Sequence, residues 1–137
     1  MSKKLIFILL LILILNLTLI IMFDFQKLEV YKKAKLFHRN CKLMLGKQKQ
    51  ERYVNDQLGR ASFSIVLNIA EGSGKAFPND RKNYFTIARA SIFECVAILD
   101  VLHDDEGINH ETYELNLKLA DELSRMLYKM IANLSKP

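Results

Sequence analysis

The sequence predicts an all-α protein: an antiparallel up-and-down four-helix bundle, preceded by one hydrophobic N-terminal helix. Three observations predict this fold. After residue 23, apolar residues recur at three- and four-residue spacing in four long segments. No strand-like alternation bounded by turns competes with that spacing. Only 2 Pro and 5 Gly interrupt the 137 residues, and the short connections make sequential helices antiparallel.

Residues 1–23 form a hydrophobic segment in which only Asn16 and Thr18 interrupt the apolar run over residues 5–23. As a helix this run is about 28 Å long, close to the ~30 Å hydrocarbon core of a bilayer. One interpretation is an uncleaved membrane anchor, whose flanking lysines would keep the following bundle in the cytoplasm. The alternative is a misassigned start, because Met22 stands where the apolar run stops and amphipathic periodicity begins.

Residues 24–137 are predicted to form the bundle itself. The first helix covers about residues 26–46, and a charged turn follows at 47–51. The second helix covers about residues 51–71, and Gly72 is expected to end it as a left-handed C-cap. The buried face of the first helix is predicted to be Val30, Ala34, Phe37, Cys41 and Met44. That of the second helix is predicted to be Val54, Leu58, Ala61, Ile65 and Ile69.

The third helix covers about residues 80–104, with Asn79 as its expected N-cap, and the fourth covers about residues 110–134, with Asn109 as its N-cap. The buried face of the third helix is predicted to be Phe85, Ala88, Ile92, Cys95, Leu99 and Leu102. The fourth helix carries two neighbouring apolar rows. The extra apolar surface of the second and fourth helices could reflect a centrally packed helix or a subunit interface, and we expect a homo-oligomer.

Charge divides the chain into a basic and an acidic half. Residues 22–93 hold 14 Lys and Arg against 6 Asp and Glu, a net charge of +8, whereas residues 94–137 hold 4 against 9, a net charge of −5. Eight cations of the basic half are the candidate nucleic-acid-binding residues: Lys32, Lys35, Arg39, Lys42, Arg52, Lys75, Arg81 and Lys82. Such cations neutralise phosphates without reading bases. The alternatives are a solvated surface, a contact with anionic lipid, or pairing with the acidic half.

A polar set interrupts the otherwise apolar second helix at spacings of four, four and three residues. Its members are Arg60, Ser64, Asn68 and Glu71. Because an unpaired polar group costs about 1–3 kcal/mol when buried, we expect a structural network within the bundle or across a subunit contact. The alternative is that these side chains line a ligand site.

The sequence shows no arrangement typical of catalysis or metal binding. His38, His103 and His110 are not accompanied by the base and nucleophile pattern of a hydrolase, nor by metal-ligand spacing. Cys41 and Cys95 fall on predicted buried faces, so they are expected to be reduced, small hydrophobic residues. We therefore expect no enzymatic activity, no cofactor and no metal.

Blocks in three of the helices carry a family resemblance. They are Phe25-x-x-Leu28-x-Val30-Tyr31-x-x-Ala34, Asp56-Gln57-Leu58-Gly59-Arg60-Ala61-Ser62-Phe63-Ser64-Ile65, Asn68-Ile69-Ala70-Glu71-Gly72-Ser73-Gly74-Lys75 and Phe85-x-x-x-Ala88-Arg89-Ala90-Ser91-x-x-Glu94. They resemble the bacterial four-helix-bundle protein family, whose members include proteins encoded in intervening sequences of 23S ribosomal RNA genes. They are also similar to the accessory variability determinant (Avd) of diversity-generating retroelements.

The resemblance covers residues 22 to about 134 and implies a four-helix protomer, commonly a pentameric ring, without catalytic machinery. For the retroelement member it implies binding to nucleic acid and to a reverse transcriptase through a basic surface. Two positions depart from the family pattern: Gly59 stands where a basic residue is frequent, and Ala90 where glycine is frequent.

Together these features predict a non-enzymatic, oligomeric protein of the bacterial cytoplasm that binds RNA or DNA nonspecifically through a basic face of the first two bundle helices. If residues 5–23 are an anchor, the bundle would be held at the inner membrane. The alternative function is a structural or protein-interaction module with no nucleic-acid role, in which apolar faces build the oligomer and charges bind a protein partner.

Overall fold

The computed structural model describes the backbone of residues 1–47 and 51–136, and the side chains of these residues except 18–22, 46 and 47. Over this part of the chain it is all-α and contains no strand, which confirms the predicted fold class. A single 3₁₀ turn, Asp24–Lys27, precedes the bundle. The α-helices are α1 (Lys3–Met22), α2 (Glu29–Lys47), α3 (Arg52–Ser73), α4 (Pro78–Asp104) and α5 (His110–Leu134). Residues 48–50 of the predicted charged turn lie outside the described residues.

Helices α2 to α5 form a closed ring of neighbours around one core. Each packs against the next in the chain, and α5 returns to pack against α2. The predicted buried faces of α2 and α4 are buried at every position, with Phe37 and Phe85 filling the centre. On α3, Leu58, Ala61, Ile65 and Ile69 are buried as predicted, whereas Val54, in the first turn, is only half-buried.

The core-facing stripe of α5 runs between its two predicted apolar rows. It contains Leu119, Ala120, Leu123 and Leu127 together with the polar Asn116. Leu115 and Tyr128 remain largely exposed on either side of the stripe, each at 61%. The apolar surface of α5 therefore exceeds what the bundle of one chain covers.

Helices α4 and α5 are capped in different ways at their N-termini. Asn109 caps α5 as predicted, because its side-chain oxygen accepts a hydrogen bond from the backbone N–H of Thr112 at 2.8 Å. Helix α4 begins earlier than predicted, at Pro78, so Phe77 and not Asn79 is the N-cap. Proline favours the first helical position because its fixed φ suits a helix and its missing N–H would have no partner there.

Gly72 does not form the predicted left-handed cap. It lies inside the last turn of α3, and no glycine in the described chain has positive φ. A Cβ at this position would lie 2.7 Å from Phe85 Cε1 and 2.9 Å from Tyr84 Cβ. The residue is therefore required for the close approach of α3 to α4, and Gly74 ends the helix with φ −84°.

Among the described residues, Glu106 has a left-handed backbone, with φ 57°, shortly after the end of α4. The N–H of Gly107 donates to Leu102 O at 2.7 Å, and the N–H of Glu106 donates to His103 O at 3.1 Å. This pair of hydrogen bonds is a Schellman motif, which satisfies carbonyls that the end of a helix leaves without partners.

Helix α1 exposes its apolar side chains, since every residue from 1 to 17 is exposed. Among the residues whose side chains are described, no helix combines the length and the apolar character needed to cross a membrane. The predicted anchor over residues 5–23 is thus not found among them, and the side chains of its last residues, 18–22, lie outside the described part of the chain.

Candidate nucleic-acid interface

Four of the eight candidate cations form a strip along the outer side of α2. Lys32, Lys35, Arg39 and Lys42 are all exposed, on the side opposite the buried face. Residues three and four apart are neighbours on a helix surface, so the strip is continuous. Within the described residues, Arg39 and Lys42 make no ion pair and no side-chain hydrogen bond.

The other lysines of this strip and its border already have partners in the folded chain. Lys32 pairs with Glu29 at 2.7 Å, and Lys35 Nζ lies 5.0 Å from the centre of the Tyr31 ring. Lys33, beside the strip, pairs with Glu122 of α5 at 2.8 Å. Exposed pairs contribute about 0–1 kcal/mol, so a phosphate can displace these partners at little cost.

The remaining four candidate cations lie on α3 and around its connection to α4. Arg52 lies at the start of α3, 4.0 Å from Asp56. Lys75, Arg81 and Lys82 lie around the other end of α3, a helix of 22 residues that is about 33 Å long at ~1.5 Å per residue. Lys75 Nζ stands 4.9 Å from the Tyr84 ring centre, and Arg81 Nε is buried without a partner among the described residues. The eight cations therefore do not form a single compact patch.

A groove of about 650 Å³ lies between α2 and α3, beside the cationic strip. Helix α2 contributes His38 and Lys42 to its lining, and α3 contributes Asp56, Gly59, Arg60 and Phe63. Arg60 was predicted to belong to a polar network, but it is exposed and makes no ion pair with a described carboxylate. It adds a second free cation to the groove, across from Lys42.

Hydrogen bonds from the core hold the wall of the groove in place. Ser62 is fully buried, and its Oγ lies 2.8 Å from His38 Nδ1. The same hydroxyl is 3.2 Å from the carbonyl oxygen of Gly59, to which it donates. The His38 ring lies 5.3 Å from the Phe63 ring, centre to centre. The orientation of the imidazole is therefore set by α3.

Burial lowers the pKa of His38 from its ordinary value, and the nearby charge of Lys42 lowers it further. Both effects disfavour the imidazolium. His38 is therefore neutral at pH 7, and the positive charge of the groove comes from Lys42 and Arg60.

The polar residues of α3 make a smaller network than the four predicted. Asn68 Nδ2 donates to Ser64 O at 2.8 Å and to Ser64 Oγ at 3.0 Å. Ser64 Oγ in turn lies 3.0 Å from Ser91 Oγ of α4. Glu71 is exposed, and like Arg60 it takes no part in these hydrogen bonds. The network therefore joins α3 to α4 through Ser64, Asn68 and Ser91.

The two cysteines are held in a form that disfavours reaction. Cys41 and Cys95 are free and fully buried, and burial raises the pKa of Cys41 to about 12 and raises that of Cys95 as well. The thiolate is the nucleophile, so these cysteines are inert at neutral pH. His103 Nε2 lies 3.3 Å from His110 Nδ1. In the described chain, no group of three or more His, Cys, Asp and Glu is placed to hold a metal ion.

Sequence reasoning missed Phe63 and Gly59 as parts of a site. The sequence places Phe63 only within a block of family resemblance, and Gly59 only at a position where a basic residue is frequent. The available signal was Arg60, three residues before Phe63, because this spacing places a cation and an aromatic ring side by side on a helix.

Comparison with known proteins agrees with this architecture. The model of the 23S rRNA-intervening sequence protein family matches residues 26–129. A solved structure of a protein with unknown function from the S23 ribosomal protein family of Bacteroides thetaiotaomicron VPI-5482 is similar, with a TM-score of 0.69 and 27% identity. The match covers 74% of this chain and 97% of that one. No curated protein matches the sequence. Because the family model spans most of the chain and the four bundle helices, the protein belongs to the 23S rRNA-intervening sequence protein family.

Proposed function

We propose that this protein is a non-enzymatic, oligomeric four-helix bundle that binds RNA or DNA without sequence preference through a basic face of α2 and α3. The observation that carries the proposal is a set of exposed cations without acidic partners in the described chain: Arg39, Lys42 and Arg60. A free surface cation can neutralise a phosphate and release its counterions, which drives association without reading a base.

Family membership suggests which nucleic acid to test first. The family is named for proteins of 23S ribosomal RNA intervening sequences, so we take ribosomal RNA as the first candidate. Binding to ribosomal RNA would place the protein in the cytoplasm, a compartment in which the buried cysteines stay reduced. If the gene instead adjoins a reverse transcriptase and a variable repeat, that enzyme becomes the candidate partner.

A salt titration tests the electrostatic contact. Binding of unrelated RNA and DNA fragments should weaken as salt rises, with a slope of about 0.7–0.9 per phosphate neutralised in a plot of log affinity against log salt. Charge reversal at Lys35, Arg39 and Lys42 to Glu should reduce that slope by about 2–3 without unfolding the bundle. Absence of binding at low salt, or a slope near zero, would reject the proposal.

A matched control for the reversal lies on α5. Lys118, Arg125 and Lys129 are exposed cations of the acidic half, and their reversal to Glu changes the net charge by the same amount. This variant should keep most of the wild-type slope. Equal losses in the two triple variants would mean that overall charge governs binding, and would contradict a contact localised to α2.

Oligomerisation is supported by a separate surface. A mostly apolar groove of about 450 Å³ between α3 and α4 is lined by Tyr53, Val54, Ala97, Ile98 and Val101. Tyr53 and Val101 are largely exposed in the single chain. We propose that a second copy of the chain covers this groove. Sedimentation velocity should show an oligomer that Val101→Glu dissociates, and a wild-type monomer at micromolar concentration would exclude this assembly.

A further inference from the structure

We propose that the groove between α2 and α3 holds one unpaired nucleotide of a single-stranded nucleic acid, with its base stacked on Phe63 and its phosphate bound by Lys42 and Arg60. This inference rests on the proposed nucleic-acid function and makes it more specific. It predicts that the protein distinguishes single strands from duplexes, although the basic face alone would bind both.

The stacking surface is an exposed aromatic ring in a cationic setting. Phe63 leaves 48% of its surface exposed, although the neighbouring α3 positions Ser62 and Ile65 are fully buried. Its ring is supported by the His38 imidazole, 5.3 Å away and inclined by 34°. A base presents an apolar face to such a ring, and this contact tolerates any sequence because every base has a π face.

The groove has the dimensions and the opening that a nucleotide requires. Its volume of about 650 Å³ lies within the roughly 300–1,000 Å³ of known ligand sites. Gly59 leaves one wall open, since a Cβ there would have no neighbouring atom within 4 Å. The groove is an open surface cleft and not an enclosed cavity, so a nucleotide within a longer strand can enter it from solvent.

The charges around the groove fit one phosphate beside a neutral base. Lys42 and Arg60 are exposed on opposite helices and have no acidic partner in the described chain. The Asp56 carboxylate also lines the groove, but Arg52 lies 4.0 Å from it and offsets its charge. Lys35 and Arg39 continue along α2 from Lys42, so the flanking phosphates of the same strand would meet further cations.

A duplex cannot use this groove without losing a base pair. Its bases are stacked on one another, and taking one base out of the stack costs a few kcal/mol. A duplex is therefore restricted to phosphate contacts with the outer strip of α2. A single strand can make the phosphate contacts and the aromatic contact together.

The test compares a labelled 12-nucleotide RNA of mixed sequence with the same strand annealed to its complement, by fluorescence anisotropy at low salt. Phe63→Ala should weaken single-strand binding about 5- to 150-fold, the range for loss of one stacked base, and should leave duplex binding unchanged. Leu67→Ala is the matched control. Leu67 is an exposed apolar residue one turn further along α3, at 44% exposure, and does not line the groove. Its replacement should leave both affinities unchanged.

A tryptophan variant reports the contact between the base and residue 63 directly. The chain contains no Trp, so Phe63→Trp would place its single indole in the groove. Binding should be retained, and the single strand should quench the indole fluorescence more than the duplex does.

Gly59→Gln, which adds a side chain to the open wall of the groove, should weaken single-strand binding while the bundle remains folded.

Three outcomes decide between this inference and the proposed function. If Phe63→Ala leaves single-strand binding unchanged while the reversal of Lys35, Arg39 and Lys42 abolishes it, the groove is not a nucleotide site and the electrostatic function stands. If neither RNA binds the wild-type protein at low salt, both proposals are wrong. Equal loss of single-strand and duplex binding in Phe63→Ala would also overturn the inference.

Discussion

Two glycines of α3 show that the same substitution can have opposite effects in one helix. A methyl group at Gly59 would enter open space, whereas one at Gly72 would lie 2.7 Å from the buried Phe85 ring. Gly59→Ala should stabilise the fold by about 1 kcal/mol, the difference in helix propensity. Gly72→Ala should destabilise it by about 1–3 kcal/mol through overpacking.

Urea denaturation of the two variants beside the wild type measures both changes, and each variant serves as the control for the other. Shifts of the same sign would mean that the approach of α3 to α4 is looser than the contact of Gly72 with Phe85 indicates.

His38 should make the stability of the bundle depend on pH. Burial and Lys42 lower its pKa in the folded chain, so between pH 6.5 and that lowered value the unfolded chain binds a proton that the folded chain does not. The free energy of unfolding should therefore fall as pH decreases from about 6.5, and the loss should be complete below the pKa of the folded state. Urea denaturation from pH 7.5 to pH 5 measures this slope.

The His38→Gln variant isolates this contribution because glutamine does not titrate. The other charged groups that line the groove are Lys42, Asp56 and Arg60, and the variant leaves all three in place. Equal pH slopes in the variant and the wild type would show that other groups control the acid sensitivity.

At the scale of the helix, the end of α4 places a charged residue where glycine is favoured. Glu106 adopts φ 57° at the left-handed position of the Schellman motif, a conformation that costs an ordinary residue about 1 kcal/mol or more. Glu106→Gly should therefore raise the free energy of unfolding by about 1 kcal/mol. Asp104→Gly, in the last turn of α4, should instead lower it by a similar amount. A loss of stability in Glu106→Gly would mean that its side chain contributes more than its backbone conformation costs.

Most of the fold could be predicted because spacing within one helix determines which of its faces is apolar. The faces predicted for α2 and α4, from Val30 to Met44 and from Phe85 to Leu102, are the buried ones. The pairing of Ser64 with Ser91 and the need for glycine at position 72 could not be predicted. Each depends on how α3 is rotated against α4, which the spacing within either helix does not specify.

The candidate site was predictable in part for the same reason. The exposure of Lys35, Arg39 and Lys42 follows from the periodicity of α2 alone. The groove requires α3 to present Arg60 and Phe63 beside Lys42, and that arrangement arises from the packing of two helices.

For the molecule as a whole, the boundary between the basic and the acidic half falls inside α4, so α2 and α3 belong to the basic half and α5 belongs to the acidic half. Because α5 packs against α2, the two halves meet within one chain. Among the described residues, Lys33 and Glu122 form the salt bridge between these helices. Most of the opposite charges therefore remain available for solvent or for a second molecule.

The two cysteines make opening of the whole bundle measurable without any engineered labelling site. Cys41 lies on α2 and Cys95 on α4, and both side chains are fully buried. A thiol reagent can therefore react with them only in molecules whose core has separated, and the labelling rate should follow the free energy of opening. Under native conditions both sites should be labelled at similar slow rates, and Gly72→Ala should accelerate both together. Fast labelling of one site alone would show that its helix detaches before the others.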